Sequence, residues 1–527
     1  MPFIYRNLVC QPREGDDFLV DELARQLDLA PEALGSVRII RKGVDARRKP
    51  RIKLVFTLSF EVVGGIEQLL YQRAARDPNL EWQPETAPHV LVPVTSTRQI
   101  VIAGSGPAGL FAALRLSQHG LSGTLIERGQ PVEQRALDVQ QFWRNGRLDP
   151  ESNVQFGEGG AGTFSDGKLT CRTKDPLIPW ILEQLVTFGA NGEIRYQAKP
   201  HIGTDQLRTV IATIRRHLTE SGFSIRFGSR LSDIGIVDGR VRSVQVNGAE
   251  ETPCDTLILA TGHSARDTYE LLESRGVVLQ AKPFAIGLRV EHPQELIDRI
   301  QYGGPRPGGV PVADYAVTWN NRISGRSAYS FCMCPGGVVI GGASEYMGVV
   351  TNGMSGSLRN SPFANSALVV NVGPADFPDD GPLAGVRFQR HWERQAYLAG
   401  GGGYKAPAQS LLSFLGRKGA SPRSTYRPGI VDAELDAVLP GFVTNTLREG
   451  IPDFDRVMKG FITREATLIG IESRTSAPVR ILRDDSLQSV GLSGLFPAGE
   501  GAGYAGGIMS SAVDGVRIAD MIIQSIR

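Results

Sequence analysis

An α/β fold is predicted for this chain of 527 residues: a parallel sheet assembled from two distant parts of the sequence, an inserted mixed β-sheet domain, and a small α+β module in front. Two segments and the stretch between them predict it. The first segment, Val101-Ile-Ala-Gly-Ser-Gly-Pro-Ala-Gly-Leu110, runs on through Ala112, Ala113, Leu116 and Gly120 to Leu125-Ile-Glu127. It reads as strand, glycine turn, helix and a second strand ending in an acid. The second segment, Leu495-Phe-Pro-Ala-Gly-Glu500, leads through Gly-Ala-Gly-Tyr-Ala-Gly-Gly-Ile-Met509 into a final helix. Residues 264–474 carry no nucleotide motif and are the expected substrate domain, bounded by sheet elements at 96–263 and 475–527.

The first segment is the fingerprint of a Rossmann-like dinucleotide site. Gly104 allows the tight turn, Gly106 lets backbone approach a pyrophosphate, and Gly109 lets the helix that opens at Pro107 and Ala108 pack on the sheet. The helix N-terminus offers unpaired N–H groups and a positive dipole end to phosphate. Glu127 stands where a carboxylate binds both ribose hydroxyls, with Arg128 beside it. A bare glycine pattern marks any tight strand-to-helix turn; the flanking strands and the acid are what make it a nucleotide site.

Residues 1–95 read as a separate module. A short helix suits Phe18–Leu29, and Ile52, Leu54, Phe56, Leu58 and Phe60 alternate with polar or smaller residues in the period of a half-buried strand. Gly64–Arg76 is helical again, which suggests a ferredoxin-like α+β arrangement, and Pro84–Pro93 reads as a linker. Further on, Leu207, Val210, Ile211, Ile214 and Leu218 recur at helical spacing between Gly203 and Ser221. Strands follow at Ser224–Phe227, Ile234–Val237, Val241–Val246 and Thr256–Ala260, with Asp238-Gly239 and Asn247-Gly248 as turns. The expectation is a meander whose last strand is Thr256–Ala260, ending at Ala260-Thr261-Gly262.

Composition is that of a globular protein, with 41% hydrophobic and 21% charged residues and a net charge of +2. No polyanionic partner is implied. No apolar run is long enough for a membrane span, the first residues show no secretory pattern, and five scattered cysteines fit a reducing cytoplasm. The basic stretch Arg38, Arg41, Lys42, Arg47, Arg48, Lys49, Arg51 and Lys53 is either a solvated face or an RNA-docking patch. Few aromatics are interleaved, so the solvated face is favoured and a nucleic-acid partner is not expected.

Among motifs that bear chemistry, Asn153-Val-Gln-Phe-Gly-Glu-Gly-Gly-Ala-Gly-Thr-Phe-Ser-Asp-Gly-Lys168 is a glycine loop able to present a row of N–H groups. His263 is either an acid/base group or polar filling in a loop. Gly400-Gly-Gly-Gly-Tyr404-Lys405 either approaches the site or is a plain loop. Glu472, Arg474, Thr475 and Ser476 line the site or form structural ion pairs. Cys332 and Cys334 in Phe331-Cys-Met-Cys334 point to one face of a strand, where residues two apart close a disulfide only with strain; packed strand cysteines are the favoured reading over a redox pair. No metal site is expected.

These features together resemble one family. Lys42-Gly-Val-Asp-Ala-Arg-Arg-Lys49, the Gly104 fingerprint, Gln155–Lys168, Phe331–Gly337, Glu472–Arg480 and Phe496–Ser511 make the whole chain similar to the FAD-dependent dehydrogenases of the glutathione-reductase-like superfamily. The resemblance implies FAD. It assigns Gly499, Glu500, Gly506, Gly507 and Ile508 to the ribityl chain and flavin ring, and Gly159, Gly160, Gly162, Thr163, Asp166 and Lys168 to a second flavin loop. Leu231, Ala260, Thr261 and Gly262 would flank the dinucleotide. Many related proteins carry aspartate where this chain has Glu500. Catalytic candidates are Lys168, against negative charge on reduced flavin N1–C2=O, with His263, Tyr404 and Lys405. The expected activity is hydride transfer between a small-molecule substrate and flavin N5. With no second glycine fingerprint in 264–474, NAD(P)H would visit transiently or electrons would come from the substrate itself. The alternatives are an RNA-modifying flavoprotein and a flavin sensor without turnover.

Overall fold

The computed structural model describes residues 3–83, 92–171 and 174–526; most of the expected Pro84–Pro93 linker lies outside them. The chain forms two compact units. One comprises the N-terminal residues to Leu91 with Asn191–Pro200 and Glu295–Ala313, and the other the remainder.

In the first unit, Phe3–Cys10, Leu34–Asp45, Lys53–Val62 and Leu80–Trp82 form an antiparallel sheet. Helices Leu19–Leu27 and Glu67–Ala74 complete a strand-helix-strand-strand-helix-strand order. The second strand lies at one edge beside the third, then the first, then the fourth, which is the ferredoxin-like arrangement. Leu54, Phe56, Leu58 and Phe60 are buried, as their alternation predicts. Leu34–Asp45 was hidden in the sequence because its basic residues lack that alternation. Lys42 N–H donates to Tyr196 O at 2.8 Å, so Asn191–Pro200 extends this edge. Part of the basic stretch is paired: Lys42 with Asp16 at 2.7 Å and Arg47 with Asp45 at 2.6 Å.

The second unit is built on a five-stranded parallel sheet, in the order Leu495–Pro497, Thr256–Leu259, Ile100–Ala103, Thr124–Ile126, Ser224–Arg226. Thr256–Leu259 is buried along its whole length, the mark of a parallel strand covered on both faces. It is therefore a sheet strand and not the last strand of the meander, a correction to the sequence reading. The third meander strand is Glu250–Pro253, beside Arg240–Val246 and Leu231–Val237. Its polar, proline-ended sequence carries no apolar period.

The two sequence-distant segments meet through their helices. The helix Ile508–Ile526 lies against the fingerprint helix Pro107–Gln118, where a Cβ on Gly515 would stand 2.1 Å from Ala108 O. Arg115 Nε to Asp520 at 2.6 Å joins them further along. The mixed sheet has seven strands, with Phe284–Pro293 between Phe363–Val372 and Thr467–Glu472, and Ser327–Cys334 next to Phe363–Val372. Among the described residues no helix is long and apolar enough to cross a membrane.

Candidate functional site: a glycine-lined dinucleotide cleft

The fingerprint glycines do three different things. Gly104 has φ +108°, and a Cβ there would meet Ala260 O at 2.3 Å. The turn therefore needs glycine both for its backbone angle and to pack on the Ala260-Thr261-Gly262 turn. A Cβ on Gly109 would lie 2.0 Å from Gly104 O, so helix and strand touch there backbone to backbone. Gly106 differs: a Cβ would find only Gly160 Cα, at 3.8 Å. Its surface is open.

The second glycine loop comes to that opening. Gly159 N–H donates to Ser105 O at 2.9 Å, and a Cβ on Gly162 would meet Ile508 Cγ1 at 2.9 Å. Gly501 packs on the Gly262 carbonyl, and Gly499 N–H donates to Asp514 at 2.7 Å. Gly262, Gly506 and Gly507 have nothing within 4 Å of a Cβ position. Four stretches of bare backbone thus converge, from the fingerprint, the second loop, the 260–262 turn and the C-terminal return. Bare backbone from four stretches, at the N-terminus of the fingerprint helix, fits the close approach of an extended dinucleotide phosphate chain.

Glu127 is buried and uses both carboxylate oxygens on protein. Oε2 accepts from Ser105 N–H at 2.9 Å and Ser105 Oγ at 2.8 Å; Oε1 accepts from Gly129 and Gly157 N–H, each at 3.0 Å. It ties the fingerprint turn to the second loop. Arg128 is committed to acids, Glu151 at 2.9 Å and Asp267 at 2.9 Å, and lies 4.2 Å over the Phe156 ring. Glu500 is half-buried, and burial pushes its carboxyl up to about 7, against the opposing pull of Lys282 and of the Gly507 N–H that it accepts. Leu231 packs into the core with Val101, Ala103 and Leu259. Thr163 Oγ1 donates to Glu158 O at 3.2 Å, inside the loop.

Asp166 binds Arg359 Nε at 2.9 Å, Lys168 Nζ at 3.1 Å and the Ser355 hydroxyl. Burial opposes its ionisation, but Lys168 and Arg359 hold the carboxyl far below the usual range. Lys168 Nζ also donates to Met333 O in the strand Ser327–Cys334. Burial would lower the Lys168 pKa; the charges of Cys334, Asp166 and Cys332 outweigh it and raise it, so the ammonium persists.

His263 Nδ1 lies 3.2 Å from Ser264 Oγ, which in turn donates to Gln155 Oε1 at 3.1 Å. Burial, with Arg474 and Arg266 beside it, drives the imidazole down to about 3. In this setting the ring is a hydrogen-bonding group of lowered basicity. Tyr404 packs its ring 5.1 Å from Phe142 and 5.3 Å from Tyr397, while Lys405 is exposed. Glu472 pairs with Arg289 at 2.7 Å, and Arg474 with Glu393 at 3.0 Å, both buried structural pairs. Thr475 Oγ1 donates to Ala285 O at 2.8 Å. No group of side chains among the described residues is arranged to hold a metal ion.

Two contributors went unread in the sequence. Arg135 is fully buried and donates only to carbonyls: Asn153 at 2.8 Å, Val154 at 2.9 Å, Gly157 at 3.2 Å and Glu158 at 2.6 Å. Glu158, raised to about 7 by burial, accepts Val132 N–H at 2.8 Å and Arg215 Nη1 at 3.0 Å. Nothing in their local sequence distinguishes them from surface charges on an amphipathic helix and a loop.

Three family models match the chain: "Pyridine nucleotide-disulphide oxidoreductase" over residues 98–277, "FAD-dependent protein, C-terminal domain-like" over 283–475, and a domain of unknown function over 4–61. A protein of Clostridium beijerinckii described as an uncharacterized protein is 44% identical over 518 residues, covering 96% of each chain. Among solved structures, a triple mutant of the flavin-dependent brominase Bmp2 is 12% identical, covers 81% of this chain and 80% of that one, and has a TM-score of 0.38. A glycine oxidase from Bacillus cereus is 11% identical, with 82% and 96% covered and a TM-score of 0.33. Superpositions that loose assign neither substrate nor reaction. The glycine-lined cleft fits FAD, and the chain, which joins a match to the pyridine nucleotide-disulphide oxidoreductase model to one to the FAD-dependent C-terminal model, belongs with the Clostridium beijerinckii protein to one FAD-dependent oxidoreductase family.

Proposed function

We propose that this flavoenzyme oxidises a small-molecule substrate by hydride transfer, with a nicotinamide as a transient visitor where one is used at all. Bound in the cleft, FAD supplies a two-electron acceptor at N5. The chain's own residues do the rest. Gly106 and the second glycine loop offer backbone N–H groups to the pyrophosphate, and Glu127 offers an acceptor edge to the ribose. Gly507 and the start of the last helix turn a positive dipole end toward the cleft.

The observation that carries the reading is Lys168. It is a half-buried ammonium on the second glycine loop, fixed by Asp166 and by the Met333 carbonyl of the mixed sheet. A fixed cation lowers the cost of negative charge that appears on two-electron reduction, and does so without reorganising. His263 stays neutral and orients through Ser264.

The test is anaerobic mixing of the purified holoprotein with a metabolite panel that includes NADH and NADPH, followed by loss of flavin absorbance. At least one donor is expected to bleach the flavin, and Lys168→Met to slow bleaching without loss of bound FAD. A protein that no donor reduces is not the enzyme proposed.

A further inference from the structure

Cys332 and Cys334 do not behave as alternating strand residues. In an extended strand, residues two apart have Cα atoms about 6.6 Å from each other and parallel side chains, which is poor geometry for a disulfide. Here the strand is broken. Phe331 pairs with Ala367 and Cys334 with Asn365, so one extra residue is accommodated between them. Cys332 itself has φ +45°, a left-handed conformation that non-glycine residues seldom adopt. That turn folds the chain back. Cys334 Sγ lies 3.4 Å from Cys332 O, and the two thiols are within hydrogen-bond reach of each other.

Positive groups surround the pair. Lys168 Nζ is bound to the carbonyl of Met333, the residue between the cysteines, and Arg289 Nη1 donates to Cys332 O at 3.2 Å. Glu472, bound to Arg289, and Glu500 of the C-terminal return lie within charge–charge range of Cys332. The bonds to Cys334 and the Lys168 and Arg289 charges outweigh burial and the Glu472 charge, and hold the Cys332 thiol below the ordinary range. Cys332 is partly accessible, and Cys334 is fully buried. A partly accessible cysteine whose thiol is held acidic, with a buried second thiol behind it, is the division of labour that thiol–disulfide exchange requires. A merely packed pair needs neither the left-handed residue nor the flanking cations. The wider cysteine pair that glutathione-reductase enzymes carry after the fingerprint is absent from this sequence, so this pair belongs to a different part of the fold.

We propose that Cys332 and Cys334 are a redox-active dithiol, a second two-electron centre beside the flavin cleft, and that the enzyme's electron acceptor is a disulfide. This rests on the hydride-transfer reading for the source of the electrons. The Cys332–Cys334 disulfide takes two electrons and two protons from reduced FAD; its S–S bond breaks and two thiols form. Cys332 thiolate then attacks one sulfur of the acceptor R–S–S–R′, whose S–S bond breaks as R′S⁻ leaves and is protonated. Cys334 attacks Cys332 Sγ in the mixed disulfide, expels RS⁻, and restores the protein disulfide. The sum is reduced FAD plus RSSR′ giving FAD, RSH and R′SH. Cys332 is the nucleophile and Cys334 the resolving thiol.

The test counts electrons. Anaerobic dithionite titration of the oxidised holoprotein is expected to take up four electrons per chain, and Cys332→Ser or Cys334→Ser only two, with FAD content retained. Independently, oxidation of the apo- and holoprotein with diamide is expected to yield a peptide linked between Cys332 and Cys334. Iodoacetamide labelling of the reduced protein is expected to hit Cys332 first, with a pH midpoint below that of an ordinary thiol. Two-electron uptake by the wild type, with no such linked peptide, overturns the proposal whether or not the variants fold. Four-electron uptake in a protein that no hydride donor reduces leaves the dithiol standing and removes the hydride-transfer reading. Bleaching by a donor with two-electron uptake does the reverse.

Discussion

Arg135 and Glu127 hold the same residue by its two backbone polar groups: Gly157 gives its N–H to Glu127 Oε1 at 3.0 Å, and its carbonyl accepts from Arg135 Nη1 at 3.2 Å. An acid and a base that never touch thus fix the loop that faces the fingerprint. Removing the guanidinium leaves the Asn153 and Val154 carbonyls short of a donor, each costing about 1–3 kcal/mol when unsatisfied, while Gly157 O keeps the Gly160 N–H and Glu158 O the Thr163 hydroxyl. Arg135→Met is therefore expected to lose at least ~2 kcal/mol of apoprotein stability in urea and to bind FAD weakly. Wild-type unfolding midpoints in the variant would show that the carbonyls find other partners.

Gly106→Val and Gly109→Ala separate binding from folding. The Gly106 side has room, so the Val variant is expected to keep the apoprotein's melting temperature while losing FAD affinity by tenfold or more, as a β-branched group meets the pyrophosphate. A Cβ on Gly109 collides with Gly104 O, and overpacking of that kind costs about 1–3 kcal/mol. Calorimetry with and without FAD reads both effects. Equal destabilisation by the two substitutions would sink this division.

Glu127 and Glu500 should differ in what they do to the cofactor. Glu127→Ala removes a charge-assisted acceptor worth roughly 1.5–3 kcal/mol, or about ten- to a hundredfold in FAD affinity, and leaves the reduction potential alone. Glu500 titrates near 7, so at pH 8 it is largely ionised and opposes negative charge on the reduced flavin. Glu500→Gln is expected to raise the potential at pH 8 and to change it little at pH 6, where the wild-type carboxyl is already neutral. Dye-equilibration measurements at both pH values check it; a shift that is the same at pH 6 and pH 8 refutes the assignment.

Glu158 makes a prediction about stability and pH. Burial raises its folded pKa from 4.5 to about 7, so between those values the folded state holds a proton that the unfolded state has released. Stability from this group therefore falls as pH rises from 4.5 to 7, and the cost is complete above 7. Glu158→Gln keeps an acceptor for Val132 and removes the buried charge. It is expected to match wild type at pH 5 and exceed it at pH 8 by about 1–3 kcal/mol in urea unfolding. The opposite ordering would mean that the Arg215 contact outweighs desolvation.

The parts of the fold visible in the sequence were those where one residue type has no substitute. Gly104 and Gly109 were legible because a Cβ collides with backbone there, and Leu54 to Phe60 because burial alternates along a half-covered strand. Leu34–Asp45 and Glu250–Pro253 were not, since an exposed strand paired by its backbone imposes no apolar period. Asp166, Glu127 and Lys168 were picked out by position, but their partners Arg359, Gly157 and Met333 are remote in sequence, so their engagement was not. Arg135 resembles any helix-surface arginine until its loop folds over it. The arrangement at Cys332 was not legible, because spacing alone says nothing of a left-handed residue at a bulge.

The contact of Gly515 with Ala108 has a consequence for how the protein is made. The fingerprint leaves the ribosome well before the outer strand of its sheet, Leu495–Pro497, and the helix that covers it. Until then Ala108 and its neighbours present bare backbone and apolar surface with nothing to cover them. The nascent chain must pass through that exposed state and translate the whole mixed sheet before its nucleotide cleft closes, so cofactor capture waits on the C-terminal return and not on the fingerprint alone.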